Sequence, residues 1–158
     1  MILTYIARIV VSMLVGLLVG QDRDRWNKPC GLRTITLIVV GATLVVLMTL
    51  ILDTKSMNNS FDAIRAIAYY LVAIGFVGGG MITQTKGKVE GTTTAALLLP
   101  MTVIGILIGL GEYTLGLIAT LLVYLVLKLK YIKIELQTFM KKKKRKRKKC
   151  EVKEENSK

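Results

Sequence analysis

The chain has 158 residues, 53% of them hydrophobic, and a net charge of +13 from 23 Lys and Arg against 10 Asp and Glu. Several charge-free runs of near helix-spanning length exclude an ordinary soluble domain and point to a multi-pass membrane protein. Histidine is absent, which excludes zinc sites of the usual kind and Ser-His or Cys-His catalysis.

In chain order, the first predicted span runs from Ile2 to about Gly20 and is apolar apart from Arg8. No basic segment precedes it and no small-residue cleavage site follows it, so it reads as a retained span rather than a signal peptide. Residues 20–34 are strongly polar and read as a compact charged loop. The second span runs from about Thr34 to Leu52, followed by a polar connector, Asp53–Asp62. The third runs from about Ile64 to Thr85, and a short turn, Gln84–Gly91, leads into the fourth, about Thr92 to Leu110. After a tight turn at Gly111–Glu112, the fifth runs from Tyr113 to about Lys130, where Lys128 and Lys130 can snorkel. The expected fold is an all-α bundle of five transmembrane helices over residues 1–130, with a separate tail over 131–158.

Charge sets the expected orientation. Arg23, Arg25, Lys28 and Arg33 lie in the first loop, Lys86 and Lys88 in the third connection, and fourteen further Lys and Arg after residue 127. The opposite side has Lys55 and the flanking Arg65. The positive-inside rule then places the N-terminus outside and the C-terminus in the cytoplasm.

The tail carries Lys141, Lys142, Lys143, Lys144, Arg145, Lys146, Arg147, Lys148 and Lys149 in one run. Like charges at this density cannot form a core, so disorder is expected. The run either binds the anionic leaflet, at ~1 kcal/mol per basic residue near the surface, or serves as a solvated topological anchor. Specific nucleic-acid binding is not expected, because no aromatic side chain is interleaved for base stacking.

Three GxxxG pairs, Gly16/Gly20, Gly75/Gly79 and Gly105/Gly109, clear helix faces for close packing. Gly78, Gly79 and Gly80 in succession weaken a helix by ~1 kcal/mol each against alanine. They suggest a helix break, close packing or room for a ligand. Thr92, Thr93 and Thr94 open the fourth span, where hydroxyls can cap free amides or, with Lys86 and Lys88, seat an anion. Asp22 is expected to face Arg33, Arg23 or the start of the fourth helix, in a polar cluster with Thr34 and Thr92–Thr94. Alternatively Asp22 and Arg23 simply flank the span in water. Arg8 is expected to snorkel outward, or to pair with Glu112 or Asp62. Cys30 and Cys150 carry little information, and no metal or cofactor site is expected.

Gly20-Gln21-Asp22-Arg23-Asp24, Cys30-Gly31-Leu32-Arg33-Thr34, Gly41-Ala42, Gly75-Phe76-Val77-Gly78-Gly79-Gly80, Gly91-Thr92-Thr93-Thr94-Ala95-Ala96 and Gly109-Leu110-Gly111 follow one another in the order and spacing of the MgtC/SapB family. As a set they make residues 1–130 resemble that family's membrane domain. The resemblance implies an inner-membrane protein of a bacterium or archaeon linked to growth under magnesium limitation and, in pathogens, to virulence through survival inside host phagocytes. It further implies a non-enzymatic mode of action through other membrane proteins, including transporters and F-type ATP synthase. Asp22 replaces the family's usual Glu, Glu90 stands where a basic residue is common, and the basic tail stands where many members carry a soluble domain. The alternative is a magnesium or other cation transporter or channel component. The acids before the tail all lie in connections or at span ends, so that reading needs a homo-oligomer with Asp22 at a pore mouth. An enzyme is a more distant third, because no nucleophile–base pair is visible.

The orientation is testable in intact cells. A cysteine placed at Asn58 is expected to react with an impermeant maleimide while the native Cys150 does not. Labelling of Cys150 would reverse the assignment.

Overall fold

The computed structural model describes residues 2–25, 28, 30–55, 63–85 and 88–129. The basic run Lys141–Lys149, Lys86, and residues 56–62 of the second connection lie outside the described residues. The described chain is all-α apart from one small hairpin: α1 (Ile2–Arg25), α2 (Leu32–Lys55), α3 (Ala63–Gly80), β1 (Thr83–Thr85), β2 (Lys88–Glu90), α4 (Thr92–Leu110) and α5 (Tyr113–Leu129). The first four helices are long and apolar enough to cross a membrane, and α5 is shorter. Helices are the form such segments take in lipid, because every backbone amide and carbonyl must be paired internally.

Two boundaries differ from those read in the sequence. The charged loop expected over 20–34 contracts, because α1 continues to Arg25 and α2 already begins at Leu32. Nothing in Gln21–Arg25 breaks a helix, and Arg23 and Arg25 suit its negative C-terminal end. The Lys28 amide reaches back to the Arg23 carbonyl at 3.2 Å and closes that end. The third helix stops at Gly80, five residues before the expected Thr85. There the Met81 and Ile82 amides bond to the Gly78 and Gly79 carbonyls at 3.2 and 3.1 Å, which tightens the last turn. The expected short turn is instead an antiparallel hairpin with Thr83 opposite Glu90 and Thr85 opposite Lys88. Gly91 closes it with φ +88°, and a Cβ there would collide with the Met81 carbonyl oxygen.

Helix α2 is the centre of the bundle and packs on α1, α3 and α4. Ile35, Val39, Ala42 and Val46 on α2 are fully buried, as are Leu98 and Met101 on α4. Lipid tails are as apolar as these side chains, so the helices are held by contact density and polar bonds rather than by hydrophobic exclusion. The glycines set that density. A Cβ on Gly16 would lie 2.7 Å from Thr36 Cα, one on Gly20 2.6 Å from Leu32 Cα, and one on Gly109 2.7 Å from Val46 Cβ. One on Gly105 would strike the Val39 carbonyl oxygen. At this crossing the Thr43 hydroxyl bridges the two helices with a 2.9 Å bond to the Gly105 carbonyl.

The third glycine set behaves differently, which corrects the expectation of close packing there. A Cβ on Gly78 makes only ordinary contact with Ala95 at 3.6 Å or beyond, and those on Gly75, Gly79 and Gly80 have no neighbour within 4 Å. Helix α3 lies at the edge, with Phe76 85% exposed beside Gly75. It is anchored from its other face, where the Tyr70 hydroxyl donates to the Ile38 carbonyl at 3.2 Å over Gly41.

Residues Met1–Leu121 form one compact unit. The second unit, Leu122–Lys158, is described only through the end of α5, where the Lys128 ammonium sits 4.7 Å from the Tyr124 ring centroid.

The glycine geometry predicts opposite responses to one methyl group. Gly105→Ala and Gly16→Ala overpack the α2 contacts and are expected to cost about 1–3 kcal/mol. Gly79→Ala enters open space and gains up to ~1 kcal/mol of helix propensity. Thermal unfolding in detergent, followed through exposure of the buried Cys30 thiol in a Cys150→Ser background, should lower Tm for the first two and leave or raise it for the third.

Candidate functional site

The buried face of α1 is formed by Ser12, Val15, Gly16, Val19, Gly20 and Arg23, spaced three and four apart. Arg23 therefore occupies the next core-facing position of an apolar helix, and it is 4% exposed. Its Nη2 donates to Thr94 Oγ1 at 2.6 Å, and this side-chain bond is itself buried. Thr94 lies on the matching face of α4, with Leu97, Leu98, Met101 and Thr102. A buried guanidinium is costly unless it is hydrogen-bonded, so a polar partner from a neighbouring helix lowers the cost of placing it there.

This differs from the cluster expected around Asp22. Asp22 is one position off the buried face and half-buried. Among the described residues, no hydrogen bond or ion pair joins it to Arg23, Arg33 or α4. Arg33, Thr92 and Thr93 are exposed, and Thr34 is half-buried. The joint between the two motif regions is made by Arg23 and Thr94. The carboxylate that meets a helix N-terminus is Asp24, whose Oδ1 lies against Gly31 so closely that a Cβ there would collide with it. The Gly31 carbonyl accepts the first bond of α2, from the Ile35 amide at 3.2 Å. Asp24 thus sits where the α2 dipole favours negative charge.

Sequence reasoning passed over Cys30. It is buried, adopts φ +59°, and its thiol lies 3.2 Å from the Met81 sulfur. It joins a cluster with Ile38, Ile74 and Leu98, against which Tyr70 and Met81 pack. Burial pushes the Cys30 pKa above its ordinary 9.0, while the Arg23 charge and a hydrogen bond with Thr34 oppose that rise. The thiol is therefore neutral at physiological pH. It ties the α1–α2 connection to the start of the hairpin.

At the other end of the bundle, the partner of Arg8 among the described residues is a backbone carbonyl and not an acid. Its Nη1 donates to the Gly109 carbonyl at 2.6 Å. The Gly111 amide bonds to the Ile108 carbonyl and the Glu112 amide to the Leu107 carbonyl, both at 3.0 Å. That Schellman pairing leaves the Gly109 carbonyl to Arg8, at the negative end of α4. Gly111 permits the approach: it has φ +96°, and a Cβ there would lie 3.0 Å from Arg8 Nη2. Glu112 is exposed, and Asp62 lies outside the described residues.

Fifteen residues separate Arg8 from Arg23, and fifteen separate Thr94 from Gly109. The antiparallel helices α1 and α4 are thus joined at two levels about 22 Å apart. That distance is less than the ~30 Å of hydrocarbon. The other buried hydroxyls of α1, α2 and α4 bond to carbonyls: Ser12 to Ile9, Thr49 to Val46 and Thr102 to Leu98 at 2.7–2.8 Å, and Thr43 to Val39 and Gly105. Among the described residues no three His, Cys, Asp or Glu side chains gather as metal ligands would.

A family model described as MgtC family matches residues 9–134. Protein SrpB of Synechococcus elongatus is 34% identical over 129 residues, covering 76% of this chain and 71% of SrpB. Protein MgtC of Salmonella typhimurium is 37% identical over 120 residues, covering 75% of this chain and 49% of MgtC. A protein of Escherichia coli named "Putative magnesium transporter YhiD" is 31% identical over 127 residues, covering 78% of this chain and 59% of YhiD. The chain thus spans about half the length of the Salmonella protein. No solved structure matches.

Proposed function

Because the chain belongs to the MgtC family, we propose that this multi-pass protein is a non-enzymatic component of a bacterial or archaeal inner membrane. It acts on other membrane proteins, a transporter or an F-type ATP synthase, in adaptation to low magnesium or intracellular stress. The N-terminus lies outside and the tail in the cytoplasm, where Lys141–Lys149 adhere to the anionic leaflet. The observation that carries this reading is the buried Arg23–Thr94 bond. It spends the charged residue of the first motif and the threonine of the second on joining two helices, which gives the surface above them a defined shape. Asp24 on Gly31 and Cys30 on Met81 add to the same construction. A preformed surface is what a binding partner reads at low entropic cost.

A cation transporter is the second reading, favoured by the name that YhiD carries. It meets two physical obstacles in this bundle. A divalent cation sheds water only for several oxygen ligands, carboxylates above all. The ionised groups that reach into these spans are instead Arg8 and Arg23, and the buried hydroxyls are bonded to helix carbonyls.

Two measurements test the proposal. In a host lacking its own MgtC-type protein, the chain should restore growth at low magnesium, while Arg23→Gln and Thr94→Val should still insert yet fail to restore it. The purified protein in vesicles holding a magnesium indicator should give no influx above protein-free vesicles. Protein-dependent influx abolished by Arg23→Gln would establish the transporter reading instead.

A further inference from the structure

The end of the bundle that carries the Arg23–Thr94 joint also carries a rim of outward cations. Arg25 closes α1, Lys28 follows it, Arg33 lies in the first turn of α2 and Lys88 in β2, and all four are exposed. Among the described residues none of the four side chains makes a hydrogen bond or ion pair. The nearby acids are fewer: Asp22 is half-buried, and the two exposed ones are Asp24, whose carboxylate lies against Gly31, and Glu90 on β2. Arg33 is unexplained by its own helix, since a cation in a first turn opposes the dipole. The Cys30–Met81 contact ties the segment holding Lys28 and Arg33 to the hairpin holding Lys88, so the four belong to one surface. They sit at the ends of α1 and α2 and beside those of α3 and α4, all long and apolar enough to span, which is the depth of lipid headgroups.

We infer that this rim binds the headgroups of anionic phospholipids in the surrounding leaflet, independently of the basic tail. The match is one of charge and depth: lipid phosphates lie at the level where the spans end, and Arg and Lys donate to phosphate oxygens by charge-assisted bonds. Bound anions also offset the cation that Arg33 places at the N-terminus of α2. The inference does not depend on which protein partner, if any, the chain acts on.

Trp26, the single tryptophan, lies between Arg25 and Lys28 and supplies the probe. The full chain with Lys141–Lys149 replaced by glutamine is reconstituted in phosphatidylcholine vesicles, and Trp26 fluorescence is quenched with brominated phosphatidylglycerol or brominated phosphatidylcholine. The expected result is a relative binding constant of about five for the anionic lipid, the effect of about one fully engaged basic residue. It should fall to about one at high salt and when Arg25, Lys28, Arg33 and Lys88 are all changed to glutamine. Protection of Cys30 from maleimide reports whether that variant is folded. If it is not, the pairs Arg25→Gln/Lys28→Gln and Arg33→Gln/Lys88→Gln should each lower the constant. Equal quenching by the two lipids in the unsubstituted rim, or a preference that survives salt and the substitutions, overturns the inference.

Discussion

Two guanidinium groups must be kept within an apolar bundle on one face of one helix. Arg8 and Arg23 continue the spacing of Ser12, Val15, Gly16, Val19 and Gly20, so α1 cannot pack by that face without carrying both charges inward. The charges are accommodated by α4, which offers a carbonyl at its C-terminal end and a threonine hydroxyl at its N-terminal end. The two sites are not equivalent. Arg8 gains from the negative end of the α4 dipole, whereas Arg23 meets the positive end of α4 while closing the negative end of α1. The Arg23 contact is the one shared by the two sequence motifs.

The close packing of α2 follows from the same requirement. The hydrogen bonds from Arg8 and Arg23 to α4 hold only if α1, α2 and α4 stay in register over four turns. Gly16 and Gly20 bring α1 onto α2 near Thr36 and Leu32, and Gly105 and Gly109 bring α4 onto α2 near Val39 and Val46. The Thr43 bond to the Gly105 carbonyl holds that second crossing. Helix α3 stands outside this frame, and its open glycines are consistent with a peripheral element. Its end is fixed by the Cys30–Met81 contact and by the hairpin that returns the chain to α4. What the membrane surface displays at that end is the product of these joints.

Most of the architecture was legible in the sequence, because charge-free runs of spanning length have few alternatives in lipid. The bounds of α4 and its glycine turn agree with the pattern of Gly91, Thr92 and Gly111. The ends of α1 and α3 did not show, for different reasons. At α1 a run of charges looks like a loop, although a final helical turn accommodates Asp24 and Arg25 in water and Arg23 on its buried face. At α3 the five residues after Gly80 are polar enough to end a span but do not announce a hairpin. The expected cluster holds Arg23 and Thr94 among its members but does not single out the pair that bonds. Extending the three-and-four spacing of α1 beyond Gly20 points to Arg23, and the same extension backwards points to Arg8. The carboxylate of Asp22 drew attention as chemistry while the helical period named its neighbour. Thr94 could have been separated from Thr92 and Thr93 by the same phase argument along α4. Cys30 gave no periodic signal, because it lies in a connection and is buried by tertiary packing with Ile38, Ile74, Leu98 and Met81.

The central claim is that the Arg23–Thr94 bond couples α1 to α4 inside the bundle. A double-mutant cycle measures it directly, using Arg23→Gln, Thr94→Val and the pair, with unfolding free energies taken in bicelles by steric trapping. A buried bond to a charged group predicts a coupling energy of about 1.5–3 kcal/mol. Single-mutant costs that add to within about 0.5 kcal/mol would mean that the two side chains act independently, which contradicts the account.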